Sequence, residues 1–85
     1  MTTRAQQISA LVKKIRPILA GQAPDVQGGA LADLTAIWLA GHPPQIRNDM
    51  LDHQLRFIRR LTEVNDHLMF GDAGHPSAAT QDNNS

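Results

Sequence analysis

The sequence has no cysteine, carries no net charge, and contains no long hydrophobic run. Without cysteine, disulfides and thiolate metal sites are unavailable, which fits a reducing compartment. A formal net charge of zero argues against a strong sequence-independent grip on nucleic acid. No apolar stretch approaches the roughly 18 residues of a membrane span, and Arg and Lys interrupt every hydrophobic run near the start, so no signal-peptide pattern is read there. The expectation is a soluble, cytoplasmic protein with no membrane partner.

Catalytic equipment is equally thin. Ser9, Ser77 and Ser85 are the only serines; Ser9 has no plausible histidine near it in sequence, the other two sit in the tail, and no activating partner is identified for a threonine nucleophile. Gly28-Gly29 lacks the Lys-Ser/Thr that follows a phosphate loop. His53 and His67 lie about four helical turns apart, on the order of 20 Å, too far to share an ion within one chain. His42 reads as a turn residue. The expectation is therefore no enzyme, no cofactor and no metal.

What is present is helical patterning. The central stretch, Pro24 to Gly41, contains only Asp25 and Asp33 as charges and holds the single tryptophan, Trp38. A helix that is nonpolar or small on nearly every side is normally buried on nearly every side, so the flanking segments are expected to enclose Leu31, Leu34 and Trp38.

Before it, Thr3 and Gln6 match a capping box. Ile8, Leu11, Val12, Ile15, Ile18 and Leu19 then form one stripe, with Lys13, Lys14 and Arg16 lying off it. Pro17 removes an amide donor and disfavours helical geometry at Arg16, so a kink or break is expected there. Gly21 fits a left-handed cap and Pro24 the first position of a new helix. The same punctuation returns twenty residues on: Leu19-Ala20-Gly21 and Pro24 are echoed by Leu39-Ala40-Gly41 and Pro44. Two copies fall short of the three or so that a stacked repeat needs, which favours one turn chemistry used twice over a duplicated unit.

A longer third helix follows. Leu51, Ile58, Leu61 and Leu68 keep a heptad-like spacing with Asn65 in the same seam, and Ile46, Met50, Phe57 and Val64 make a second stripe beside it. The polar side offers Asp49–His53, Asp52–Arg56 and Arg59–Glu63 at four-residue spacing, and Glu63 also precedes His67 by four. From Gly71 the chain has no hydrophobic residue larger than Ala, too little to offset ordering entropy. Gly71 to Ser85 is read as a disordered tail, with room for a short ordered piece at His75-Pro76.

These readings give an all-α fold: a three-helix antiparallel bundle with a long third helix. Its helices span about 4–20, 24–40 and 44–69, within a helical domain 1–70 followed by the tail 71–85. A hairpin of the first two helices can cover only one stripe of the third, so a homodimer is expected, with another protein as the alternative partner. The expected interface comprises Gly28, Gly29, Ala32 and Ala36 on the second helix, where missing side chains would let another backbone approach. On the third helix it comprises Leu51, Ile58, Leu61, Asn65 and Leu68, with Asn65 fixing the register. The expected function is a non-enzymatic interaction and oligomerisation module. The alternative is a small DNA-associated regulator using Lys13, Lys14, Arg16, Arg56, Arg59 and Arg60.

The run from Ile15 to Gln54, about half the chain, resembles a group of short uncharacterised bacterial helical proteins. The resemblance rests on the I-R-P-x-L-A-G opening, the P-x-V-Q-G helix start and the W-L-A-G-H turn. It implies a small helical protein and carries over no activity, cofactor or catalytic residue.

Overall fold

Three helices make up the fold: α1, Arg4–Ala20; α2, Pro24–Ala40; and α3, Pro44–Phe70. The computed structural model describes residues 1–77, and among these there is no strand. The part of the expected tail from 78 onward lies outside the described residues. By chain contacts the molecule divides into two units, Met1 to Trp38 and Leu39 onward, so the boundary falls two residues before the end of α2.

In the first unit, α1 begins with the expected capping box. The Gln6 amide donates to Thr3 Oγ1 at 3.1 Å, and the Thr3 amide donates to Gln6 Oε1 at 2.8 Å. Two of the orphan amides of a helix start are thereby satisfied. Pro17 lies inside α1 without breaking it; the helix is continuous to Ala20. The residue sits within the last turn, so few helical bonds remain to be lost beyond the one that its missing amide forgoes.

Gly21 does not adopt the left-handed cap expected of it. Its φ is −90° and its ψ 0°, a right-handed turn geometry open to other residues. The turn closes differently: the Gln22 amide donates to Leu19 O at 3.0 Å, and the Gln27 side chain reaches back from α2 to the same carbonyl at 2.8 Å. Two donors on one carbonyl remove the need for a left-handed residue.

The second unit repeats this arrangement. His42 N donates to Leu39 O at 3.0 Å, and the Arg47 guanidinium takes the place of the Gln27 amide. Arg47 Nε lies 3.1 Å from Leu39 O and 2.9 Å from His42 O, and Nη2 lies 3.0 Å from Ala40 O. Gln27 and Arg47 each follow the helix-opening proline by three residues and each contact the carbonyl eight residues back. The twenty-residue echo in the sequence is thus also an echo of hydrogen bonding.

α3 runs for 27 residues, one beyond its expected end. Gly71 terminates it with φ 76°, where a Cβ would be strained, and its amide donates to His67 O at 2.8 Å. Residues 71–77 are not a featureless tail. Asp66 Oδ1 accepts from the His75 amide at 3.0 Å, and the His75 ring meets Phe70 edge-on at a centroid distance of 4.9 Å. Gly74, at φ 75°, lies so close to Asp66 that a Cβ would stand 2.7 Å from its Oδ2. These local contacts with α3, rather than apolar burial, hold the segment, which is why hydrophobicity gave no sign of them.

No described side chain is buried. The enclosure of α2 that its low charge suggested is absent from the single chain: Leu31, Leu34 and Trp38 are 51%, 55% and 42% exposed. Within the first unit the α1 stripe is equally open, from Ile8 through Ile18. Poverty in charge establishes what a segment needs, but one chain of this length has little surface with which to supply it.

Candidate interaction surface

The heptad seam of α3 is the most continuous apolar feature of the second unit. Leu51 is half-buried, while Ile58, Leu61 and Leu68 are 46%, 42% and 77% exposed. Beside the seam, Leu55, Phe57, Val64 and Met69 are also open. On an α-helix such residues at spacings of three and four lie along one side. Clustered exposure of large apolar side chains on a soluble surface marks an association site more often than chance scatter does.

Asn65, expected to fix the register of the seam, also makes a bond within its own helix. Its Nδ2 donates to Leu61 O of its own helix at 2.8 Å. Thr62 and Thr35 bond back in the same way, to Ile58 O and Leu31 O. The Asn65 Oδ1 remains available as an acceptor.

The small-residue side of α2 is open. Gly28, Gly29, Ala32 and Ala36 are all exposed, and a Cβ built on either glycine would meet nothing within 4 Å. Among the described residues of the single chain, no backbone comes close to these glycines. A consequence can be measured. Gly28→Ala and Gly29→Ala should each stabilise the chain by about 0.5–1 kcal/mol, because a helical glycine loses more backbone freedom than alanine. Thermal melts check the sign, and sedimentation of the same variants checks the interface. A higher melting temperature with undiminished self-association places the interface elsewhere. Weakened self-association would place a second backbone against these glycines.

The basic residues fall into two groups. Lys13, Lys14 and Arg16 are exposed on α1, in the first unit, and Arg56, Arg59 and Arg60 are exposed on α3, in the second. Arg56 and Arg60, with His53 and Phe57, line an open recess of about 380 Å³. Among the described residues, none of the pairs Asp49–His53, Asp52–Arg56 or Arg59–Glu63 comes within salt-bridge distance, so that spacing rule overstated the order of this side. His67 stands 3.8 Å from Asp72, beyond the helix end, rather than beside Glu63. No three potential metal ligands converge among the described residues, and no helix there is long and apolar enough to cross a membrane.

Arg47 is the residue whose role sequence reasoning missed. Its guanidinium is committed to three carbonyls around the end of α2, where a cation also meets the negative end of the helix dipole. Its position three residues after Pro44, matching Gln27 after Pro24, was the available signal.

The chain matches no protein-family model, no curated protein and no solved structure.

Proposed function

We propose that the chain is a small non-enzymatic oligomerisation module of the cytoplasm and that its main partner is a second copy of itself. The observation that carries this reading is the open apolar seam on α3, in a chain where no described side chain reaches core burial. Removing such surface from water contributes about 25 cal/mol per Å², and a twofold dimer is the commonest way to do so. An interface of standard size covers about 800 Å² on each partner. In this reading the antiparallel packing of the three helices and the enclosure of α2 are completed in the assembly, and α2 contributes to the interface alongside α3.

Sedimentation equilibrium tests it. At micromolar concentration the expected mass is twice the chain's 9.3 kDa, and the melting temperature should rise with protein concentration, as mass action requires. A 9.3 kDa species with a concentration-independent cooperative melt would overturn the reading.

A second reading, a DNA-associated regulator, draws support from Arg56 and Arg60, which stand together on the open recess without a paired carboxylate. It requires salt-sensitive retardation of duplex DNA.

A further inference from the structure

We propose that α1 lies along an anionic lipid surface, through the side that carries Arg4, Leu11, Lys14 and Ile18. This concerns the helix that the interface proposed above leaves out, and it goes beyond self-association. The expectation of no membrane partner rests on the lack of a run long enough to span a bilayer, which does not bear on a helix lying in the plane of its surface.

The apolar stripe of α1 is not evenly open. Ile18 and Leu11 are 72% and 58% exposed, against 45% for Val12 and 39% for Ile15, and Leu19 is half-buried. Val12 and Leu19 mark the covered edge of the stripe, and the open edge is the opposite one. Arg4, Leu11 and Ile18 recur at seven-residue spacing and fall there on nearly one line. Lys14 stands beside that line, within one helical turn of both Leu11 and Ile18. Both cations thus border the open apolar side chains instead of pointing to the far side of the helix. Arg4 and Lys14 are exposed, and neither has an ion-pair partner among the described residues.

Charge identifies the occupant. Arg4, Lys13, Lys14 and Arg16 are half of the chain's eight basic residues, and none of its eight acidic residues precedes Asp25. The remainder of the chain is acidic in balance, so a negatively charged plane orients the molecule with α1 towards it. The cations are spread over about three helical turns, which matches an extended surface better than a single bound ion. The first turn of α1 also carries Arg4 and no acid. A cation at that end of the helix dipole costs stability in water, and nearby anions offset the cost.

The stems of Arg4 and Lys14 are long enough to hold their charges among headgroups while Leu11 and Ile18 enter the acyl boundary. Nucleic acid would meet the cations but offer nothing to Leu11 and Ile18. A groove in a partner protein is best anchored by aromatic side chains, and α1 has none. An aliphatic face needs no matching pocket in a fluid layer. The cytoplasmic leaflet carries the negative potential required, in keeping with the compartment proposed above.

Vesicle co-sedimentation of the full chain tests this. The chain should pellet with vesicles of equal parts phosphatidylcholine and phosphatidylserine. It should stay in solution with phosphatidylcholine alone, or in about 1 M salt, where charges are screened beyond about 3 Å. Lys14→Glu should weaken binding more than about tenfold, because it reverses a charge at the surface. Leu11→Gln removes apolar surface but keeps a good helix former, and should weaken binding about tenfold. Ile18→Gln repeats the measurement should Leu11→Gln lose helix content by circular dichroism. Neither Lys14 nor Leu11 belongs to the proposed dimer interface, so without vesicles both variants should sediment as the parent does. Failure to pellet with the anionic vesicles, as for a helix made for an acidic protein groove, overturns the proposal. So does binding indifferent to Lys14→Glu, or binding lost in salt but unchanged by both glutamine variants, since that is charge attraction without insertion. A changed mass for Lys14→Glu would place this side of α1 inside the protein's own assembly and overturn it too.

Discussion

An Ile58→Asp chain should sediment as a monomer, lose most of its α-helical circular dichroism signal and melt without a cooperative transition. Ile58 is 46% exposed in the single chain. If the chain worked alone, a carboxylate at so open a site would cost about 0.5 kcal/mol, as at other surface positions. In a self-associated form the same position lies inside the seam. The substitution then forfeits about 1.5–3 kcal/mol of apolar burial per copy and adds several kcal/mol for desolvating each unpaired carboxylate. Twofold symmetry brings in both copies at once, which exceeds the total stability of a typical small domain. α3 alone would remain as a partly frayed helix, because isolated helices owe most of their stability to packing. Ile58→Leu, which keeps volume and apolarity, should cost under about 1.5 kcal/mol and leave the dimer intact. Sedimentation velocity and circular dichroism on the pair provide the measurement. If both variants behave as the parent does, the seam is not an interface.

The wide gap between those two outcomes reflects what one chain can show about its own surface. The helices were legible because local chemistry marks their ends. Thr3 with Gln6, Gly21 with Pro24, Gly41 with Pro44, and Gly71 bracket segments whose apolar residues recur at helical spacing. Such signals act within a turn or two and need no knowledge of the rest of the molecule. What failed involved choices among competing local partners. Gly21 could have entered the left-handed region but did not, because the Gln22 amide and the Gln27 side chain already occupy Leu19 O. The four-residue charge pairs on α3 had the right spacing but too little net gain to hold two solvated side chains together.

The candidate site was legible in part. The seam of Leu51, Ile58, Leu61 and Leu68 follows from periodicity, and the structure places these residues on one helix with three of them open. The expectation that α2 would be enclosed by its neighbours did not carry over to the single chain, since pattern specifies which face is apolar but not what covers it. The recess beside Phe57 was not foreseen. Of its lining residues, Phe57 was assigned to a stripe, His53 and Arg56 to ion pairs and Arg60 to neither, so no single pattern brought the four together.

The second large effect is expected at a residue with no part in the seam. Arg47→Ala should destabilise the fold by about 2–3 kcal/mol, because hydrogen bonds from a charged donor contribute about 1.5–3 kcal/mol and those sharing one guanidinium do not add in full. For a chain of this size that corresponds to a fall in melting temperature on the order of 10 °C. Ala40 O and His42 O lose the guanidinium donor and Leu39 O keeps only the His42 amide, and the cation that faces the negative end of the α2 dipole is lost with them. Gln27→Ala at the equivalent position removes one neutral bond, to Leu19 O, and should cost about 1 kcal/mol. Arg47→Gln would copy the chemistry of the first turn into the second, and should recover part of the loss through a single bond to Leu39 O. The expected order of stability is therefore parent, Gln27→Ala, Arg47→Gln, Arg47→Ala. The ordering follows from one turn design used twice, with a neutral donor in the first use and a charged, forked donor in the second. Thermal melts at one protein concentration measure it. An Arg47→Ala chain no less stable than one carrying Arg4→Ala, an exposed arginine in the first turn of α1, would show that these contacts do not hold the α2–α3 junction.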